Sequence, residues 1–98
     1  MTDAQRSPLA IDRDRLWSTI LRSAEIGPGA AGGLRRLALT DDDRAMREVF
    51  RRWSEESGLA VRVDRAGNMF ARLAGREALP PVLVGSHLDS QITGGRFD

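Results

Sequence analysis

A chain of 98 residues, 41% hydrophobic and 30% charged, has the length and balance of one small domain, and no run in it approaches the roughly 18 apolar residues that span a bilayer. It contains no cysteine, which excludes disulfides and thiolate metal sites and leaves nitrogen and oxygen as the donors for any metal. Its 15 basic residues are all arginine, interleaved with 14 acids for a net charge of +1, so neither nucleic acid nor membrane is an expected partner and no lysine is available for a Schiff base or a phosphate loop.

Residues 1–11 read as a flexible leader, broken at Pro8 and without the basic start and apolar middle of a signal peptide, so a cytoplasmic location is expected. From Asp12 the pattern is helical: Leu16, Trp17, Ile20, Leu21 and Ala24 form one apolar stripe, with Trp17 expected in the core. Asp12 and Asp14 suit the positive end of that helix, and Gly27-Pro28 should end it. The glycine-rich stretch from Gly27 to Gly33 lacks phosphate-loop spacing and reads as a connection. Leu34 to Leu39 reads as a short ordered segment with Arg35 and Arg36 on a solvated face.

Thr40 and Asp41 offer an N-cap, and capping accounts for the Asp41-Asp42-Asp43 run more simply than a cation site. Met46, Val49, Phe50 and Trp53 then recur at i, i+3, i+4 and i+7, and Gly58 stops the helix. Leu59, Val61 and Val63 alternate as a half-buried strand, Arg65 to Asn68 supplies a turn, and Met69 to Leu73 returns as a hairpin partner. Val82-Leu83-Val84 is continuously apolar and predicts a buried core strand, covered on both faces as in an α/β sheet.

In such sheets sites gather beyond the carboxyl ends of the strands, and His87 lies three residues past Val84. Its imidazole could ligate a metal, Asp89 could accept the other ring N–H as a second-shell partner, and Asp98 could ligate one metal or bridge two. Gly94 and Gly95 permit positive φ, which would fold the loop so that Asp98 approaches His87. From the residues alone, a hydrogen-bonded structural histidine is the commoner meaning of such a triplet, and His87 with Asp98 falls short of a catalytic zinc ligand set. Ser86 and Ser90 lack a nucleophile elbow. A chain whose chemistry begins where it stops is expected to be incomplete.

Gly85-Ser86-His87-Leu88-Asp89-Ser90-Gln91 with Thr93-Gly94-Gly95-Arg96-Phe97-Asp98 resembles the first metal motif of the M20-type metal-dependent amidohydrolases. Gly32-Gly33-Leu34-x-Arg36-Leu37-Ala38-Leu39-Thr40 and Asp64-x-x-Gly67-Asn68-Met69-Phe70 resemble two further segments of the same family, in the branch of N-carbamoyl-amino-acid hydrolases, β-ureidopropionase and allantoate amidohydrolase. The resemblance implies an α/β/α sandwich of the metallopeptidase type, of which residues 12–98 form the N-terminal portion of the catalytic domain. It implies two divalent ions, zinc first and manganese, cobalt or nickel as alternatives. His87 would bind one ion, Asp98 would bridge both, and Asp89 would orient His87. The remaining ligands, the general base and a lid and dimerisation domain would lie beyond this chain, in a homodimeric parent that hydrolyses small-molecule amides or ureides. N-carbamoyl amino acids are the expected substrates, with allantoate as an alternative and a non-catalytic α/β partner-binding module as the competing reading. Ile92 departs from the proline that many relatives carry there.

Overall fold

A computed structural model of the chain describes residues 9–97, so most of the expected leader and Asp98 lie outside the described residues. Order begins at Asp12, whose extended backbone and side-chain oxygen, accepting from the Arg15 N–H at 3.0 Å, start helix α1 (Arg13–Ser23). A 3-10 turn follows at Ala30–Gly32, and Thr40 caps helix α2 (Asp41–Glu56) by accepting from the Asp43 N–H. The acids at 41–43 occupy the first turn of α2 as expected, but Asp43 does more than complement the dipole. It is buried, and its Oδ2 accepts from the Leu39 N–H at 3.0 Å, which fixes Leu39 at a φ of +67°. The chain is thus turned sharply into α2 by a reciprocal pair of side-chain bonds, one from Thr40 and one from Asp43.

Beyond α2 the chain forms a hairpin of β1 (Ala60–Val63) and β2 (Met69–Arg72), antiparallel, with Val61 opposite Ala71 and Val63 opposite Met69. Asp64 organises its turn: Oδ1 accepts from the Ala66 and Asn68 N–H groups and Oδ2 from the Asn68 side-chain amide, while Gly67 takes a φ of +90°. These bonds, led by the one from the Asn68 side chain, hold the Asp64 carboxyl below its ordinary pKa. β1 lies against α2. The core consists of Ile26, Met46 and Val49, with Trp53 and Leu88 packed on it. Each such buried side chain contributes about 1.5–3 kcal/mol. Among the described residues no helix is long and apolar enough to cross a membrane.

The α/β character and the order helix, helix, hairpin agree with the sequence reading. Three expectations do not hold. Val82, Leu83 and Val84 are 92%, 79% and 89% exposed and form no strand, because neither strand of the hairpin pairs with them and no helix covers them. Trp17 is half exposed, since α1 carries no buried residue and turns Thr19, Ile20 and Ser23, rather than Trp17, toward Met46, Trp53 and Leu88. The indole instead tilts against Phe97, ring centroids 5.5 Å apart. Arg36 is buried, 4% exposed, rather than solvated. The radius of gyration, 16.0 Å, exceeds the roughly 13 Å of a closed domain of this length, consistent with so much apolar surface left open.

Thr40→Ala should cost about 1 kcal/mol in urea unfolding, through loss of the α2 cap; an unchanged midpoint would show that Asp43 alone sets the entry to the helix. The Asp64 turn should weaken in acid. A carboxyl with a lowered folded pKa contributes stability above its unfolded value, about 3.9, and loses that contribution as pH falls through the folded one. Protection of the Asn68 amide, measured against its intrinsic exchange rate at each pH, should therefore fall at the acid end of a titration, and Asp64→Asn should abolish that dependence.

Candidate functional site

The stretch from Gly85 to Phe97 contains neither helix nor strand, so its shape depends on what it is bonded to. Leu88 inserts onto the core beside Met46 and Val49. From Leu88 onward the loop is held by the segment before α2. Leu34 and Gly94 exchange both backbone bonds, each at 2.9 Å. The Arg36 N–H donates to Ser90 Oγ at 2.8 Å, and the Ser90 N–H donates back to the Arg36 carbonyl at 2.6 Å. The Arg36 side chain runs beneath the loop. Its Nε donates to the Leu88 carbonyl at 2.7 Å, Nη1 donates to the carbonyls of Ser23 and Ile26, each at 2.8 Å, and Nη2 donates to Ser23 Oγ at 3.2 Å. Desolvation lowers the pKa of this guanidinium, opposed by the nearby charges of Asp43, Asp42 and Asp89.

Gly94 is required here for space. Its φ is not positive, contrary to the expectation for the glycine pair, but an added Cβ would lie 2.9 Å from Ser90 Cβ and 3.2 Å from the Leu34 carbonyl oxygen. A Cβ on Gly33 would collide with the Gly94 carbonyl oxygen. The two backbones meet at a distance that only glycine allows. Gly95, the next residue, is exposed.

On this support His87 projects outward, its side chain 66% exposed. Nδ1 lies 2.8 Å from the Asp89 backbone carbonyl and 3.2 Å from Asp89 Oδ1. A carbonyl can only accept, so Nδ1 must carry the proton, and the lone pair of the neutral ring resides on Nε2. That is the tautomer a metal ligand needs, with the other ring nitrogen held by a carboxylate and a carbonyl. The donors in the described residues therefore fit a metal at one position, His87 Nε2. Among the described residues no group of three or more His, Asp or Glu side chains could hold an ion. Asp98, the expected bridge, lies outside the described residues. The structure brings His87 and Asp89 together, as expected, and adds Arg36 and Ser90, to which the sequence reading gave no role. One signal for Arg36 was present: the motif around it keeps Arg36 and leaves position 35 free.

Substituting Gly94 should open this loop. Gly94→Ala should cost about 1–3 kcal/mol, the range for forced overpacking, and expose the Leu34 amide to exchange. Gly85→Ala, where nothing lies within 4 Å of the added carbon, should leave both unchanged. Equal behaviour of the two variants would show that the Leu34 bridge is not what closes the loop.

No family model matches the chain. It is 50% identical over 90 residues to the N-carbamoyl-L-amino-acid amidohydrolase of Rhizobium meliloti, an overlap of 90% of this chain and 21% of that protein. It is 33% identical over 87 residues to the allantoate amidohydrolase of Escherichia coli strain K12, covering 88% of this chain and 21% of that one. The crystal structure of a hydantoinase/carbamoylase family amidase from Burkholderia ambifaria matches it with a TM-score of 0.87 and 54% identity, over 92% of this chain and 22% of the other. The chain thus spans 21–22% of the length of these relatives. Sequence identity at this level over nearly the whole chain, with the same backbone path, bears out the resemblance read from the motifs: the chain belongs to the amidohydrolase family of the N-carbamoyl-L-amino-acid and allantoate enzymes.

Proposed function

We propose that this chain is the N-terminal metal-binding part of a dinuclear, metal-dependent amidohydrolase that cleaves linear amide or ureido C–N bonds, with N-carbamoyl amino acids as substrates. The observation that carries the reading is His87, exposed at Nε2 and fixed at Nδ1 by Asp89, within a segment 50% identical to an N-carbamoyl-L-amino-acid amidohydrolase. The lower identity to an allantoate enzyme, 33%, keeps allantoate as the second substrate reading.

In this proposal His87 offers Nε2 to one ion, Asp98 supplies the carboxylate shared by both, and Asp89 holds the ring so that Nε2 keeps its lone pair. Zinc suits an imidazole and carboxylate donor set best, with manganese, cobalt or nickel as alternatives. Two such ions, when bound, would supply Lewis-acid activation of water and of the substrate carbonyl. The chain's own contribution is positional: one imidazole and its acceptors, held on a loop bonded to the segment between α1 and α2. The remaining ligands, the general base and the lid and dimerisation domain belong to the rest of a cytoplasmic, homodimeric parent. There Val82-Leu83-Val84 would find its neighbours in an α/β/α sandwich.

Grafting residues 12–98 in place of the matching segment of the Rhizobium meliloti amidohydrolase tests this directly. The chimera should hydrolyse N-carbamoyl-L-amino acids and lose activity to a chelator. In it Asp89→Asn should lower kcat/KM roughly 10–100-fold, the range for partners of a metal ligand, and Asp98→Ala should cost more. Equal losses would argue against Asp98 as the bridge. A folded chimera active on neither N-carbamoyl amino acids nor allantoate would overturn the proposal.

A further inference from the structure

We infer that Arg36 is a positioning residue for His87: it clamps the peptide units on both sides of Asp89, so that Asp89 faces Nδ1 and Nε2 is left as the ligating nitrogen. The inference rests on the reading of His87 as a metal ligand, but its structural part stands on bonds around Asp89 alone.

One peptide plane decides where the Asp89 carbonyl points. The carbonyl that accepts from His87 Nδ1 belongs to Asp89, and it shares its peptide unit with the Ser90 N–H. In a trans peptide the C=O and N–H point in opposite directions, and the chain has no cis bonds among its described residues. The Ser90 N–H is drawn to the Arg36 carbonyl at 2.6 Å, so the Asp89 carbonyl must point away from Arg36, toward the imidazole. The preceding peptide is held as well, because the Leu88 carbonyl accepts from Arg36 Nε at 2.7 Å. With both planes set, the Asp89 side chain leaves the backbone on the His87 side, and Oδ1 reaches Nδ1 at 3.2 Å. Arg36 is itself anchored by Ser23 and Ile26 through Nη1 and by Ser90 Oγ through its own N–H.

A lysine could not replace it. Three separate carbonyls lie around the guanidinium, and a planar fork with fixed donors reaches them where a single ammonium would not. A purely structural arginine would stabilise the loop without selecting which nitrogen of His87 carries the proton. A positioning arginine selects it, and that difference is measurable.

The test is long-range proton–nitrogen correlation on the full 98-residue chain with labelled histidine, at a pH of about 8 where a neutral ring prevails. The unaltered chain should show the Nδ1–H tautomer. In Arg36→Gln and in Ser90→Ala, His87 should shift toward the Nε2–H form, and protection of the Ser90 amide should fall at least about tenfold, as in local opening. Arg36→Lys should not restore either signal. An Nε2–H ring in the unaltered chain, or an unchanged tautomer in a folded variant, overturns the inference. If Arg36→Gln fails to fold, Arg36→Lys, which keeps the charge but not the planar fork, decides the matter: an unchanged tautomer in it overturns the inference. Zinc chloride titration separates this claim from the metal reading. Tautomer shifts as expected, with no zinc response at His87 Nε2, would leave the positioning role standing and sink the ligand. A zinc response of equal affinity in the unaltered chain and in Ser90→Ala would do the reverse.

Discussion

The Arg36 side chain is buried, and a buried charge is tolerable only when its donors are satisfied. Its acceptors are the carbonyls of Ser23, Ile26 and Leu88 and the hydroxyl of Ser23. Those groups come from the end of α1, the turn after it and a loop more than fifty residues downstream. The apolar core is too small to bring these parts together by burial alone, since it amounts to Ile26, Met46 and Val49 with two partly buried neighbours. Polar bonding of a single side chain therefore does what a larger domain would leave to packing. It also adds a second donor to the Ser23 carbonyl, which accepts from the Ile26 N–H as well. Removing the Arg36 side chain would at once take a donor from three carbonyls in three parts of the chain, so the arrangement is cooperative.

What could be read in the sequence was what depends on near neighbours. The acidic start of α1 at Asp12 and Asp14, the Thr40 cap, the stripe of Met46 and Val49 and the turn from Arg65 to Asn68 are each built from residues within about one or two helical turns of each other, and each is present. What misled was burial that depends on a distant partner. Val82-Leu83-Val84 has the composition of a buried strand, yet a strand needs a neighbour to bond to, and composition cannot supply one. Trp17 has the spacing of a core residue, but the helix that carries it lies at the margin. Arg35 and Arg36 are indistinguishable by type. One is exposed and the other buried because Leu34 and Arg36 alternate onto the same inner face of an extended segment.

The glycines show the same division. Gly67 was legible as a turn residue, because its positive φ is a local demand of the Asp64 turn. Gly33 and Gly94 were each legible as glycines in a loop, but not as a pair. Their reason for being glycine is that their two backbones touch, sixty-one positions apart in the chain. The stretch from Gly27 to Gly33 is therefore more than a connection: it is the floor on which the His87 loop closes, through Leu34 and Gly94.

This relocates the physical origin of the site. The sequence placed His87 at the rim of a buried strand and let the sheet position it. In the structure the preceding residues are exposed and unpaired, yet His87 and Asp89 already have the geometry of a ligand and its orienting partner. The strand cannot be what organises them. The bonds that do run sideways, from Leu88, Ser90 and Gly94 to Leu34 and Arg36 in the segment before α2. The orientation of the histidine is thus set by the segment before α2 and does not depend on a strand at Val82-Leu83-Val84.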